Sequence, residues 1–229
     1  MADQLRLIRF LRDIPCNPPQ LCYNIVILQK AGDPMTILVT AFDPFGGQTV
    51  NPAQLAVEKL PGQIGGHTII KTVVPTVFGQ SGDLVTALMD THSPDAVVCV
   101  GQAGGRDAIT PERIAINIMD AKSGDNAGFI PTDLPVIPEG PAAYFSTLPV
   151  KAMVAAIENT GLPGKLSNTA GTFVCNQLLY RCLHHAATRM PGCRCGFIHV
   201  PYIPEQTTDK PSMELEDIVK GLEAAIAAI

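Results

Sequence analysis

The sequence predicts an α/β fold built on a largely parallel sheet. From Thr36 onward, short β-rich runs alternate with helical patterns, the order expected when crossover helices cover a sheet. The strand candidate 96–100 is a continuous apolar run, as in strands buried on both faces. With 229 residues, 46% apolar and 16% charged, the chain can bury such a core and is too apolar for disorder to be its main state.

The elements follow in order. Residues 36–42 read as a buried strand, and Asp43-Pro44-Phe45-Gly46-Gly47 as the loop that turns the chain. Asn51-Pro52 supplies an N-cap with proline at the first helical position, opening a helix to about Leu60. A strand over 68–74, a helix over 81–91 and a third strand over 96–100 complete a βαβαβ pattern. Gly101 to Arg106 is a glycine-rich loop. Residues 113–119 alternate, with Ile114, Ile116 and Ile118 predicted on one face of a further strand. Turn formers crowd 122–141, a long surface loop. Helices are expected over 148–160 and 172–188, with Thr172 capping the second, and a central strand over 196–200. Leu215, Ile218, Leu222 and Ile226 recur at helical spacing in a closing amphipathic helix. No repeat and no linker divides the chain after Met35.

Residues 1–34 read differently. Arg6, Arg9 and Arg12 interrupt the apolar run, and Pro15, Pro18 and Pro19 follow. The segment lacks the apolar stretch and cleavage site of a secretory signal. It is expected to be an addition to a domain spanning 35–229: disordered, the product of an upstream start codon, or a helical arm over the core. Deleting residues 1–34 is expected to leave folding and activity intact, and loss of either rejects this boundary.

The net charge of −5 provides no positive field for nucleic acid or anionic lipid. No run approaches the roughly 18 apolar residues of a membrane span. The absence of Trp and the presence of only four Tyr disfavour carbohydrate and single-strand binding. Seven cysteines, at 16, 22, 99, 175, 182, 193 and 195, lack the spacing of a disulfide framework, which places the protein in a reducing, cytoplasmic setting.

Three residues offer chemistry. Cys175 follows the small-residue turn Thr169-Ala170-Gly171-Thr172 and falls in or near the first turn of a helix. There the macrodipole and free amides stabilise a thiolate and can hold an oxyanion; a small buried hydrophobe is the alternative. His199 lies near the carboxyl end of a buried strand, where open α/β sheets place ligands. It is a catalytic base or a core imidazole bonded to a carbonyl. Glu112 precedes a β-patterned run and can orient an imidazole, pair with Arg113 or face water. The loop from Gly101 to Arg106 follows a strand and can cradle phosphate, but it matches neither a P-loop nor a dinucleotide fingerprint. Cys193 and Cys195, one residue apart without a matching pair, make a poor zinc site, as do His184 and His185, which are adjacent on a helix.

Four motifs carry a resemblance. They are Leu38-Val-Thr-Ala-Phe42-Asp-Pro-Phe45-Gly-Gly47 with Asn51-Pro52, Gly101-Gln-Ala-Gly-Gly-Arg-Asp-Ala-Ile-Thr-Pro-Glu112-Arg113, Ser167-Asn-Thr-Ala-Gly-Thr-Phe-Val-Cys175-Asn176 and Phe197-Ile-His199-Val-Pro-Tyr-Ile-Pro-Glu-Gln206. In this order they closely resemble pyroglutamyl peptidase type I, from about Met35 to the C-terminal helix. The resemblance implies a single-domain three-layer α/β/α sandwich around a mixed sheet. It also implies a cofactor-free, metal-free cytoplasmic cysteine peptidase that removes N-terminal 5-oxoproline from peptides and forms homo-oligomers, often tetramers. The nucleophile then maps to Cys175, the acid/base to His199 and the orienting carboxylate to Glu112. Phe42, Phe45, Phe173 and Val174 map to the walls of an apolar ring pocket, and Asn51 and Gln102 to its polar contacts. Core packing or loop capping is the alternative for each of these six. Ala41 and Ser123 depart from the family pattern, in a loop neighbour and in a pocket position. Two other functions remain open on the residues alone: a nucleoside phosphorylase-like enzyme using the Gly101 loop for phosphate, and an inactive pyroglutamyl-peptide binder.

Overall fold

The computed structural model describes residues 34–229, so the expectations for the N-terminal segment, Cys16 and Cys22 included, fall outside the described residues. Four parallel strands form the centre of the sheet: β1 (Thr36–Phe42), β3 (His67–Val74), β4 (Ala96–Gln102) and β8 (Arg194–Val200). Two-residue strands β2 (Gln63–Ile64) and β5 (Thr110–Pro111) close the edges antiparallel, giving the order β2-β3-β1-β4-β8-β5. The sheet is therefore mixed.

Period-two alternation divides the core. Ile37, Val39 and Ala41 of β1 pack with α1 (Pro52–Lys59), α3 (Val150–Asn159) and α5 (Leu215–Ala227). Leu38 and Phe42 face the opposite layer with α2 (Gln80–His92) and α4 (Val174–Arg189). Both faces are covered, which is why 96–100 reads as a continuous apolar run. Each fully buried Ile, Leu or Val contributes about 1.5–3 kcal/mol. No helix among the described residues is long and apolar enough to cross a membrane.

Local signals explain the helix starts unevenly. Asn51 caps α1 as expected, its Oδ1 accepting from the Ala53 amide at 3.0 Å. Thr172 does not cap α4. Phe173 holds the N-cap position with no side-chain bond, while the Thr172 hydroxyl donates to the Asp120 carbonyl at 2.7 Å.

The run 113–119 departs further from expectation. Only β6 (Ile114–Ile116) is strand, paired with β7 (Ala143–Phe145) in a separate two-stranded ribbon. Its buried residue is Ala115, and Ile118 is 39% exposed, so the isoleucine face is not the core face. The buried Asn176 side chain supplies the pairing that a further strand would give, accepting from the Ile116 amide and donating to the Ile116 and Ile118 carbonyls. β8 is an interior strand, second from the edge, between β4 and the two-residue β5.

Candidate active site

Sheet register brings two of the three candidates to one place. In the β4–β8 ladder Gly101 lies opposite His199, and strand alternation turns both toward the α4 face. Cys175 is the second residue of α4. A Cβ built on Gly101 would lie 3.1 Å from Cys175 Sγ and 2.7 Å from Phe197 Cζ. The sulfur thus rests against a backbone that only glycine leaves bare, beside the strand neighbour carrying His199. The Phe197 and His199 rings pack at 4.6 Å between centroids.

Glu112 follows β5 and is fully buried. Its amide donates to the Phe197 carbonyl at 2.8 Å, bringing its carboxylate under the imidazole: His199 Nδ1 to Glu112 Oε1 is 2.7 Å. A carboxylate only accepts, so Nδ1 carries the hydrogen and Nε2 is left as the proton acceptor. Glu112 pairs with Arg106, at 2.6 Å to the same oxygen, and not with Arg113.

The electrostatics differ from those of a helix start considered alone. Burial pushes the Cys175 thiol from its ordinary 9.0 up to about 12, and the Glu112 charge and Cys99 add to the rise. Arg106 and a backbone hydrogen bond pull the other way and do not prevail. Burial therefore opposes the thiolate that the helix end favours. Burial lowers His199 below 6.5, opposed by the hydrogen bond and charge of Glu112 and aided by Arg106. Burial alone would raise Glu112, but the hydrogen bond and charge of His199, the Ser167 hydroxyl and Arg106 bring it below 4.5. Burial thus favours the neutral forms of Cys175 and His199, while the donors around Glu112 favour its carboxylate.

The predicted wall residues divide. Phe45 and Phe173 are partly exposed and face each other at 6.3 Å, whereas Phe42 and Val174 are buried beneath them in the core. Phe78 and Phe129, which sequence reading missed, extend the wall at 5.2 Å from Phe173 and 6.0 Å from Phe78. Asp125 ties the Phe129 loop to Phe78, accepting from the amides of Phe78, Ala127 and Phe129. Ser123 is exposed on that loop, and Ala41 is buried in β1.

Asn51 is buried at the start of α1. Both ends of its amide serve the backbone, Oδ1 at Ala53 and Nδ2 at the Asp43 carbonyl, so it pins the loop that carries Phe45. Gln102 Oε1 accepts from Gln206 Nε2 at 3.0 Å at the carboxyl end of β4. Cys182 is fully buried in the α4-side core with Cys99 and Cys195. His184 bonds Tyr144 and His185 bonds Asp90, and among the described residues no group of three or more His, Cys, Asp or Glu is arranged to hold a metal ion.

The family model described as pyroglutamyl peptidase matches residues 35–229. The chain belongs to the pyroglutamyl peptidase family. It is 53% identical over 198 residues to the pyrrolidone-carboxylate peptidase of Levilactobacillus brevis, covering 85% of this chain and 97% of that one. The pyrrolidone-carboxylate peptidase of a serotype M12 Streptococcus pyogenes is 54% identical over 85% of this chain and 92% of its own. Among solved structures, pyroglutamyl peptidase I of Bacillus amyloliquefaciens superposes with a TM-score of 0.83 at 47% identity, over 85% of this chain and 96% of that one. A mutant pyrrolidone carboxyl peptidase from Pyrococcus furiosus gives 0.81 at 40%, over 85% and 97%. The fold is that of the pyroglutamyl peptidase family, a group of cysteine peptidases that remove N-terminal pyroglutamate. The family also weighs against phosphate use of the Gly101 loop: Arg106, the cation there, is committed to Glu112, and Tyr202 fills the space over Gly104.

Proposed function

We propose that Cys175, His199 and Glu112 carry out the hydrolysis of an N-terminal pyroglutamyl residue from peptides. The observation that carries this reading is the continuous arrangement from Glu112 through His199 to the Gly101 backbone on which Cys175 Sγ rests. The thiol proton passes to His199 Nε2 as Sγ bonds the exocyclic carbonyl carbon. The oxyanion falls to the first-turn amides of α4, which no side chain caps. His199 then protonates the departing amine as the C–N bond breaks, leaving a thioester. Water attacks that thioester while giving its proton to His199, which returns one to sulfur as pyroglutamate leaves.

Phe45 and Phe173 wall the uncharged ring, Phe42 and Val174 back them, and Gln102 offers a lactam hydrogen bond, while Asn51 acts by holding the loop. A charged N-terminus is rejected because such a pocket cannot repay its desolvation. The catalytic unit is residues 35–229. A cytoplasmic setting is supported by the five free cysteines among the described residues. Homo-oligomer formation is supported by exposed Ile130 and Phe145, and sedimentation as a monomer would overturn it.

The deciding experiment is hydrolysis of a chromogenic pyroglutamyl amide by the purified protein, before and after iodoacetamide. Alkylation is expected to abolish turnover. Because burial holds the thiol up, alkylation should accelerate continuously into alkaline pH. The acid limb of kcat/KM is expected below pH 6.5, since activity needs neutral His199 and burial disfavours its protonation. An alkylation plateau near pH 5 would instead indicate a preformed thiolate–imidazolium pair, and turnover that survives alkylation would overturn the thiol mechanism.

A further inference from the structure

We infer that Arg106 is a positioning residue of this reaction, a clamp that holds the Glu112 carboxylate in place and ties it to both His199 and the loop delivering Cys175. The inference rests on the proposed roles of those three residues and adds a fourth part to them.

One guanidinium meets three residues on two segments. Nη1 donates to Glu112 Oε1 at 2.6 Å and to Thr110 Oγ1 at 2.5 Å, and Nη2 donates to the Thr169 carbonyl at 3.1 Å. Thr110 passes the contact onward, its hydroxyl donating to the His199 carbonyl at 3.3 Å. Thr169 lies in the turn before α4, where its hydroxyl accepts from the Gly171 amide at 3.0 Å. The side chain of Arg106 is 28% exposed and that of Glu112 is fully buried, so the pair is shielded from the screening that weakens surface ion pairs.

A charge is needed here for a reason visible in the carboxylate. Glu112 Oε1 takes both donors, from His199 and Arg106, while Oε2 is buried without a hydrogen-bond partner, the nearby Ser167 hydroxyl donating to the Thr169 carbonyl. A buried carboxylate requires compensation, and a neutral imidazole contributes a hydrogen bond but no charge. Arg106 supplies that fixed charge. The fork geometry also matters, because a lysine ammonium is a point charge without a second planar donor for Thr169.

The consequence for proton affinity has a definite sign. His199 faces Glu112, Arg106 and, across Gly101, Cys175; Glu112 faces His199, Arg106 and the Ser167 hydroxyl; Cys175 faces Glu112, Arg106 and Cys99. Removing the arginine charge makes both Glu112 and His199 hold protons more tightly, so the pair protonates at higher pH.

The test compares R106Q and R106K with the parent enzyme through kcat and KM on a pyroglutamyl amide across pH, with thermal melts alongside. R106Q is expected to lower kcat by about 10²-fold with KM near the parent value, and to move the acid limb of kcat/KM to higher pH. R106K keeps the charge, so its limb should stay at the parent position while only part of the rate returns. A parent-like limb in R106Q, or a parent-like rate, overturns the clamp. If R106Q does not fold, R106K decides: a limb moved upward in that variant overturns the inference. Turnover surviving Cys175→Ala would reject the underlying reading, whereas a parent-like limb in R106Q with Cys175→Ala silent rejects the clamp alone.

Discussion

Replacing Cys175 by alanine is expected to lower hydrolysis of a pyroglutamyl amide by about 10⁴-fold or more while the protein still melts cooperatively near the parent temperature. The size of the loss follows from the role: Cys175, in the uncapped first turn of α4 and against the Gly101 backbone opposite His199, is the group proposed to form the covalent intermediate. The modest stability effect follows from position. Cys175 is only partly buried, at the edge of the α4-side core, and truncating one sulfur there costs about 1 kcal/mol. Steady-state kinetics and a thermal melt of the same preparation check both halves, and hydrolysis that persists undiminished rejects this nucleophile.

Changing Glu112 to glutamine is expected to be nearly as damaging to turnover and more damaging to the fold. The amide retains the carboxylate's shape but removes the charge that stabilises imidazolium as His199 accepts the thiol proton. The same exchange in serine-protease triads costs about 10⁴-fold in kcat. Arg106 loses its counter-charge as well, a broken buried pair worth about 3 kcal/mol, at the low end for such pairs because Arg106 keeps some exposure. The pH dependence has a checkable sign. Glu112 is held below 4.5 in the folded state, so its stabilisation is complete above that value and is lost as pH falls through the folded one. The gap in melting temperature between parent and E112Q should therefore narrow in acid. A gap that is constant with pH would show that Glu112 contributes no ionised stabilisation.

Much of the framework was legible because its signals are local. Asn51-Pro52 places a cap and its proline within two residues of the helix they start, and the unbroken apolar run at 96–100 announces burial on both faces. The placement of Cys175 in the first turn of α4 was equally local, even though Thr172 turned out to bond Asp120 and to leave the cap to Phe173. Ile114 to Ile118 misled because alternation reveals that two faces exist, not which of them is buried; here Asn176, about 60 residues away, decides.

The partner of Glu112 shows the same limit at the site. A neighbouring arginine in sequence, Arg113, was the candidate, yet the charge that arrives is Arg106, brought back by a turn whose geometry no spacing encodes. The one available hint was a second arginine six residues before a carboxylate in a chain with few charged residues.

By itself the amino-acid order determined the family, the α/β pattern and the identity of the groups able to do chemistry, since propensity, capping and motif spacing act over a few residues. Tertiary structure alone decided that burial opposes the Cys175 thiolate, that Gly101 gives the sulfur room beside His199, and that His199 meets a carboxylate 87 positions distant. Desolvation and cross-strand contact depend on which distant segments exclude water together, and that arrangement exists only once the chain has closed around its core.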